Sequence, residues 1–235
     1  MESENEKNMK KKDIKKKNMK KKEKVMFFCA HNDDQIVGAG GTLAKYAEQG
    51  KDIVTVIFSY GEMSHPWYKP EHIIDVRIKE ARNADKILGG KRLVFLDMQE
   101  GSFMKGMENK DVKKRIKDLI KEEKPSKIFT HSINDPMPDH KAVYNIMYSI
   151  LKDIKFKGDV YMYEVWTPIS LKRRNDPKMV VDITSTFRKK VNAFKVHKSQ
   201  KAAIFSLLWS IYVKAILFGF NNGCRYAEVF QKMKI

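Results

Sequence analysis

The stretch that decides the fold is VMFFCAHNDDQIVGAGGTLAKYAEQG, Val25 to Gly50. A continuous apolar run, the form taken by a strand buried on both faces, ends at His31. Two adjacent aspartates follow, then a glycine cluster that opens a helical pattern closed by Gly50. A second run rich in β-branched residues, KDIVTVIFSYG, completes a strand–helix–strand unit. The alternation continues along the chain. RIKEARNADKILGG, NKDVKKRIKDLIKEEKP and DHKAVYNIMYSILKDI read as helices, and KRLVFLDM, SKIFTH and DVYMYEVW as strands. This order predicts a three-layer, Rossmann-like α/β domain, its mostly parallel sheet covered by helices on both faces.

Ligands of such sheets bind beyond the carboxyl ends of the strands. Two polar clusters fall there, HNDDQ after the first strand and HSINDPMPDH after KIFT, so segments about a hundred residues apart meet at one sheet edge. His31 and Asp34 can supply two ligands of a catalytic metal, and His140 is well placed as the third. Asp33 is then free to accept a proton from a metal-activated water. The competing reading of each aspartate is a plain helix N-cap. The glycines do not make a dinucleotide fingerprint. Gly38, Gly40 and Gly41 are followed by Leu43 where a third glycine is needed, and the aspartates would repel a pyrophosphate. Close helix–sheet packing is their better explanation.

The remaining composition narrows the class. In 235 residues, 42 % hydrophobic and 11 % aromatic content are those of a globular protein. Two cysteines, Cys29 and Cys224, cannot form a disulfide framework, and their use fits a reducing, cytoplasmic setting. The formal charge of +18 is concentrated in part in residues 1–24, where eleven lysines face five acids. That stretch reads as a disordered tail, with one domain over 25–235. It lacks the apolar core of a secretory signal. Elsewhere the lysines lie on solvated helix faces without the aromatic interleaving that binds bases, so no nucleic-acid partner is expected. Ala203 to Phe220 is long and apolar. It just reaches the length and hydropathy of a spanning helix, but Lys214 at its centre argues for a core-packing one, while a membrane-surface or oligomer-interface helix stays open. His65 and His72, in the loop Glu62 to Ile74, read as substrate-side or solvent residues rather than ligands.

AHNDDQIVGAGGTLAKYA and MPDHKAV, with FSYGE, VRIKEARNADKILGG, VDITSTFRKKVNAFKVHKSQ and GCRYAEVF, resemble the PIG-L/LmbE-like family of zinc-dependent N-acetylglucosamine-type deacetylases. The resemblance runs from about Lys24 to the C-terminus. It implies zinc, or another divalent transition metal, on His31, Asp34 and His140, with Asp33 as general base and Asp139 in support. Arg77 and Gln35 fall at substrate-side positions, and His197 matches a histidine near the site, although an isolated histidine is more often structural. The implied substrate is a small N-acetylated sugar or conjugate, lipid-linked in one variant of the reading, and homo-oligomerisation stays open. Asn32, Gln35 and Met137 depart from the family pattern, replacing a proline, a glutamate and an oxyanion-stabilising histidine. His131 or His197 is expected to fill that last role in part. The departures also leave open a catalytically silent, sugar-binding protein.

Overall fold

The computed structural model describes residues 22–64, 69–103, 109–167 and 178–235. Residues 1–21, most of the expected tail, and His65 lie outside them. The chain runs β1 (Lys24–Cys29), α1 (Asp34–Glu48), β2 (Asp52–Ile57), α2 (Pro70–Leu88), β3 (Arg92–Phe95), α3 (Lys110–Glu123) and β4 (Lys127–His131). It continues through α4 (Pro138–Asp153), β5 (Asp159–Tyr163), β6 (Lys178–Asp182), α5 (Phe187–Lys195), α6 (Lys201–Phe220) and β7 (Ala227–Lys232). Lys24 belongs to β1, and Glu23 accepts from Lys51 and Lys127 at 2.8 and 2.9 Å.

The seven strands lie in the order β3-β2-β1-β4-β5-β7-β6. The first five are parallel. β1 shows why its run is unbroken: Val25, Phe27 and Cys29 enter the core under α1, α5 and α6, while Met26, Phe28 and Ala30 enter the one under α3 and α4. Both faces are buried, so neither can be polar. The expected α/β class is the observed one.

Two features depart from the sequence reading. The glycine cluster does not precede the helix but lies inside it, since α1 starts at Asp34. A Cβ on Gly38 would come within 2.3 Å of the Tyr163 ring, and one on Gly41 within 2.6 Å of Ile183. The glycines therefore let α1 lie against the sheet, as their packing explanation requires. The second departure is β6 and β7, which have no counterpart in the sequence pattern. β7 pairs antiparallel with both β5 and β6, closing the sheet on that side. Its apolar alternation is interrupted by Glu228, which is buried. Glu228 accepts the backbone N–H groups of Gly41 (3.0 Å) and Thr42 (2.8 Å) and pairs with buried Lys190 at 2.6 Å.

In the parallel part, β2 and β3 extend from one side of β1, and β4 and β5 from the other. The chain order reverses between β1 and β4, and at such a switch point the loops leave in opposite directions and open a crevice.

Candidate metal centre

Both polar clusters stand at that crevice. On the β1 side the turn His31–Asp33 leads into α1, and Asp34 reaches back so that its Oδ2 accepts the His31 backbone N–H at 2.7 Å. On the β4 side His131 ends the strand, and Pro138 starts α4 with His140 in its first turn. The Ala30 N–H donates to His131 Nε2 at 3.0 Å, tying the two strand ends together.

Asp34 is the centre of the cluster. Its Oδ1 lies 3.2 Å from His140 Nε2, and its Oδ2 lies 3.2 Å from His131 Nε2 and 3.6 Å from His31 Nδ1. His31 Nε2 is 3.4 Å from Asp139 Oδ2 and 3.6 Å from Glu100 Oε1. Behind the cluster, Asp135 Oδ1 lies 2.9 Å from His140 Nδ1. Asp135 also accepts the N–H groups of Met137, Val165 and Trp166, at 3.2, 2.7 and 3.2 Å. This carboxylate–histidine pairing is the usual support of a metal-bound imidazole.

Burial opposes charge throughout, and the neighbours decide the outcome. His140 and His131 outweigh the burial of Asp34 and hold its carboxyl well below the usual range. Burial is likewise overcome at His31 by Asp139, Asp34 and Glu100, and its pKa rises to about 10. At His140, Asp34 and Asp135 lift it to about 9. His131 goes the other way, to about 4, through burial and the neighbouring His140, so it is neutral. Asp34, Asp135, Asp139 and Glu100 thus converge on three histidines, an arrangement that calls for a cation.

His31, Asp34 and His140 each offer a ligand atom, all within 4.8 Å of one another. His131, Asp135 and His140 also fall within that distance. In that second set, however, His131 Nε2 is taken by Ala30 N–H and Asp135 by backbone donors. His31 Nε2 and His140 Nε2 in the first set are buried without an aligned hydrogen-bond partner, as are His131 Nδ1 and His140 Nδ1 in the second. Neighbouring ligand atoms of a tetrahedral ion with bonds of about 2 Å lie about 3.3 Å apart. The 3.2 Å between Asp34 Oδ1 and His140 Nε2 matches that spacing. The residues present fit a divalent metal.

The other sequence candidates surround this set. Asp33 holds the N-cap position of α1, but its side chain makes no cap hydrogen bond, so the plain capping explanation does not account for it. Arg77, 3 % exposed, donates to Asn32 Oδ1, accepts from Asn32 Nδ2 through its carbonyl at 2.9 Å, and brings Nη2 to 3.9 Å from Asp33 Oδ1. Its guanidinium is thus turned to the loop. Gln35 is buried, donates to Asn32 O at 3.3 Å and leaves Oε1 unpartnered. Asp139 accepts the Gly101 N–H at 3.1 Å beside His31. Met137 is exposed at the start of α4. His197 is buried beyond α5, Nδ1 3.3 Å from Phe194 O, and no contact among the described residues joins it to the cluster.

Sequence reasoning missed Glu100 and Asp135. Asp135 was visible only as one polar residue of NDPMPDH. Glu100 reaches the site because its N–H donates to Glu62 Oε1 at 2.8 Å, while Ser59 Oγ holds Glu62 at 3.0 Å. Nothing local in the sequence announces that path.

Fold and site together define an α/β protein with a His/Asp cluster that could hold a metal at the switch point of a parallel sheet. A family model described as PIG-L, GlcNAc-PI de-N-acetylase, matches residues 26–151, more than half of the chain. The chain belongs to the PIG-L family. It is 24 % identical over 223 residues to a diacetylchitobiose deacetylase of Thermococcus kodakarensis, covering 88 % of this chain and 81 % of that protein. It is 28 % identical over 207 residues to a 4-oxalmesaconate hydratase of Pseudomonas putida, covering 80 % and 76 %. Among solved structures, the N,N'-diacetylchitobiose deacetylase of Pyrococcus horikoshii shares the fold, with a TM-score of 0.73 at 21 % identity over 99 % of this chain and 94 % of that one.

Proposed function

We propose that the protein is a metal-dependent N-deacetylase that hydrolyses the acetamide of an N-acetylglucosamine-type sugar or conjugate. The observation that carries this reading is the group His31, Asp34 and His140, each able to offer a metal ligand, with the carboxylate of the preceding residue, Asp33, outside the cap hydrogen bonding. When bound, a divalent ion (zinc by ligand type, with iron, manganese or cobalt also suited) lowers the pKa of a water towards neutrality and polarises the amide carbonyl. Asp33 takes the proton from the attacking water and returns it to the leaving amine. Arg77 fixes Asn32 and thereby the loop that carries Asp33. His131, whose ring stacks on His140 with centroids 4.0 Å apart, holds Asp34 and backs the ligand set. Asp139 and Glu100 orient His31. Two free cysteines, Cys29 and Cys224, go with work in a reducing cytoplasm.

The test is acetate release from N,N'-diacetylchitobiose and simple N-acetylglucosamine conjugates by zinc-loaded protein. Asp33→Asn is expected to keep its metal and lose at least about a hundredfold in kcat, whereas His140→Ala loses the metal. Full metal content in His140→Ala, or no acetate from fully loaded wild type, overturns the assignment. One observation favours a second reading, the likeness to a hydratase over 80 % of the chain. The same water and base can add to an activated carbon–carbon double bond. Hydration of an unsaturated polycarboxylate without acetate release would select it.

A further inference from the structure

Helix α6 is apolar on both of its faces. Leu207, Ile211 and Ala215 enter the core. On the opposite side Trp209, Tyr212, Ile216, Leu217 and Phe220 recur at spacings of three and four or less, which places them in one stripe along the helix. Trp209 is 52 % exposed, Ile216 48 % and Phe220 84 %. At about 150–250 Å² per side chain the stripe shows on the order of 500 Å² of apolar surface, a size that marks interaction sites. Beside it opens a groove of about 530 Å³ lined in part by Phe187, Arg188, Lys195, Tyr212, Arg225 and Tyr226. It carries three cations and no carboxylate, and the Arg225 guanidinium lies 5.2 Å over the Tyr226 ring. Tyr212 belongs to both surfaces, so stripe and groove are continuous.

We propose that this face docks on an anionic phospholipid bilayer. α6 lies flat, its stripe in the acyl boundary, and the groove takes a lipid phosphate. Among the described residues no helix is long and apolar enough to cross a membrane, so the stripe fits a helix lying in the interface rather than a span. Trp209 and Tyr212 are the side-chain types that settle at headgroup depth. Charge selects the partner. A second copy seated on the same stripe by a two-fold axis brings two tri-cationic grooves together, in a chain whose formal charge is +18. An anionic surface attracts the same charges, by about 1 kcal/mol for each basic residue near it. The proposal concerns this surface alone and stands whatever reaction the metal centre performs.

The experiment is co-sedimentation of the full chain with vesicles of phosphatidylcholine, with or without roughly one third phosphatidylglycerol, at low and high salt. Wild type is expected to bind the anionic vesicles at least about tenfold better than the neutral ones. The exposed double variants Trp209→Ser/Phe220→Ser and Arg188→Glu/Arg225→Glu, checked by circular dichroism, each lose about tenfold or more. Both keep residues 1–24, so a stripe variant that binds like wild type assigns binding to those lysines and overturns the proposal. Concentration-dependent dimers in sedimentation velocity, abolished by Trp209→Ser/Phe220→Ser and insensitive to vesicles, overturn it in favour of a second copy.

Discussion

Replacing Asp135 by asparagine changes one oxygen for an NH₂ group in a fully buried site, where no water can make up for a lost acceptor. The carboxylate accepts the Val165 and Trp166 N–H groups through one oxygen, at 2.7 and 3.2 Å, while the other accepts the Met137 N–H at 3.2 Å and lies 2.9 Å from His140 Nδ1. Asparagine keeps a single acceptor and must choose. If its oxygen stays on Val165 and Trp166, the NH₂ faces the Met137 N–H, left unpaired, and His140 Nδ1, which must then accept. The proton moves to Nε2, the atom that should bind the metal, and losing such support for a ligand costs about 10- to 100-fold in metal affinity, or about 1.4–2.7 kcal/mol. If the oxygen turns to His140, the NH₂ meets two backbone N–H donors. Each buried donor left unpaired costs about 1–3 kcal/mol, and for a chain of this length each kcal/mol lowers Tm by roughly 2–4 °C. Zinc affinity by chelator competition and the urea unfolding free energy are therefore measured together. The expected outcome is a loss in at least one of them. A variant with zinc affinity within threefold and stability within about 0.5 kcal/mol of wild type would refute the orienting role of Asp135.

Glu228→Ala leaves the Lys190 ammonium and the Gly41 and Thr42 N–H groups buried without their acceptor, and is expected to cost about 3–5 kcal/mol in urea unfolding. Adding Lys190→Met should recover a substantial part, and a single variant within about 1 kcal/mol of wild type would remove the pair from the account of stability. Asp85 gives a pH signature. Burial raises its pKa from 3.8 to about 6, against a hydrogen bond from Thr55 at 3.3 Å. A carboxyl whose pKa is higher folded than unfolded favours the fold when protonated, so this contribution is lost as pH rises from about 4 to about 6 and reaches about 3 kcal/mol beyond. Asp85→Asn is expected to stabilise by up to about that amount at pH 7.5 and by almost nothing near pH 4. An equal effect at both pH values would assign it to something other than ionisation.

The parallel half of the sheet was legible because β1, β2, β4 and β5 are buried on both faces, and such strands write themselves as unbroken apolar runs. The two ligand clusters were legible for a related reason, each being a polar burst directly after such a run. β7 was not, because what places it is Glu228, whose partners Lys190, Gly41 and Thr42 are distant in sequence. The start of α1 was missed because Gly38, Gly40 and Gly41 read locally as the opening of a helix, whereas Gly38 and Gly41 lie inside it, against Tyr163 and Ile183. Asp135 and Glu100 were missed on the same principle. Their roles lie in hydrogen bonds to Val165, Trp166 and Glu62, which local pattern does not encode.

The position of β7 also sets an order of assembly. It is the last strand along the chain, yet it fills an interior slot, between β5 and β6. During vectorial synthesis the five parallel strands can join early, but β5 then waits with a bare hydrogen-bonding edge until residues 227–232 emerge. Such an edge is a template for pairing with other chains. Slow translation of residues 227–232, or a nick in the segment joining α6 to β7, would therefore show itself first as loss of soluble yield, before any loss of activity per folded molecule.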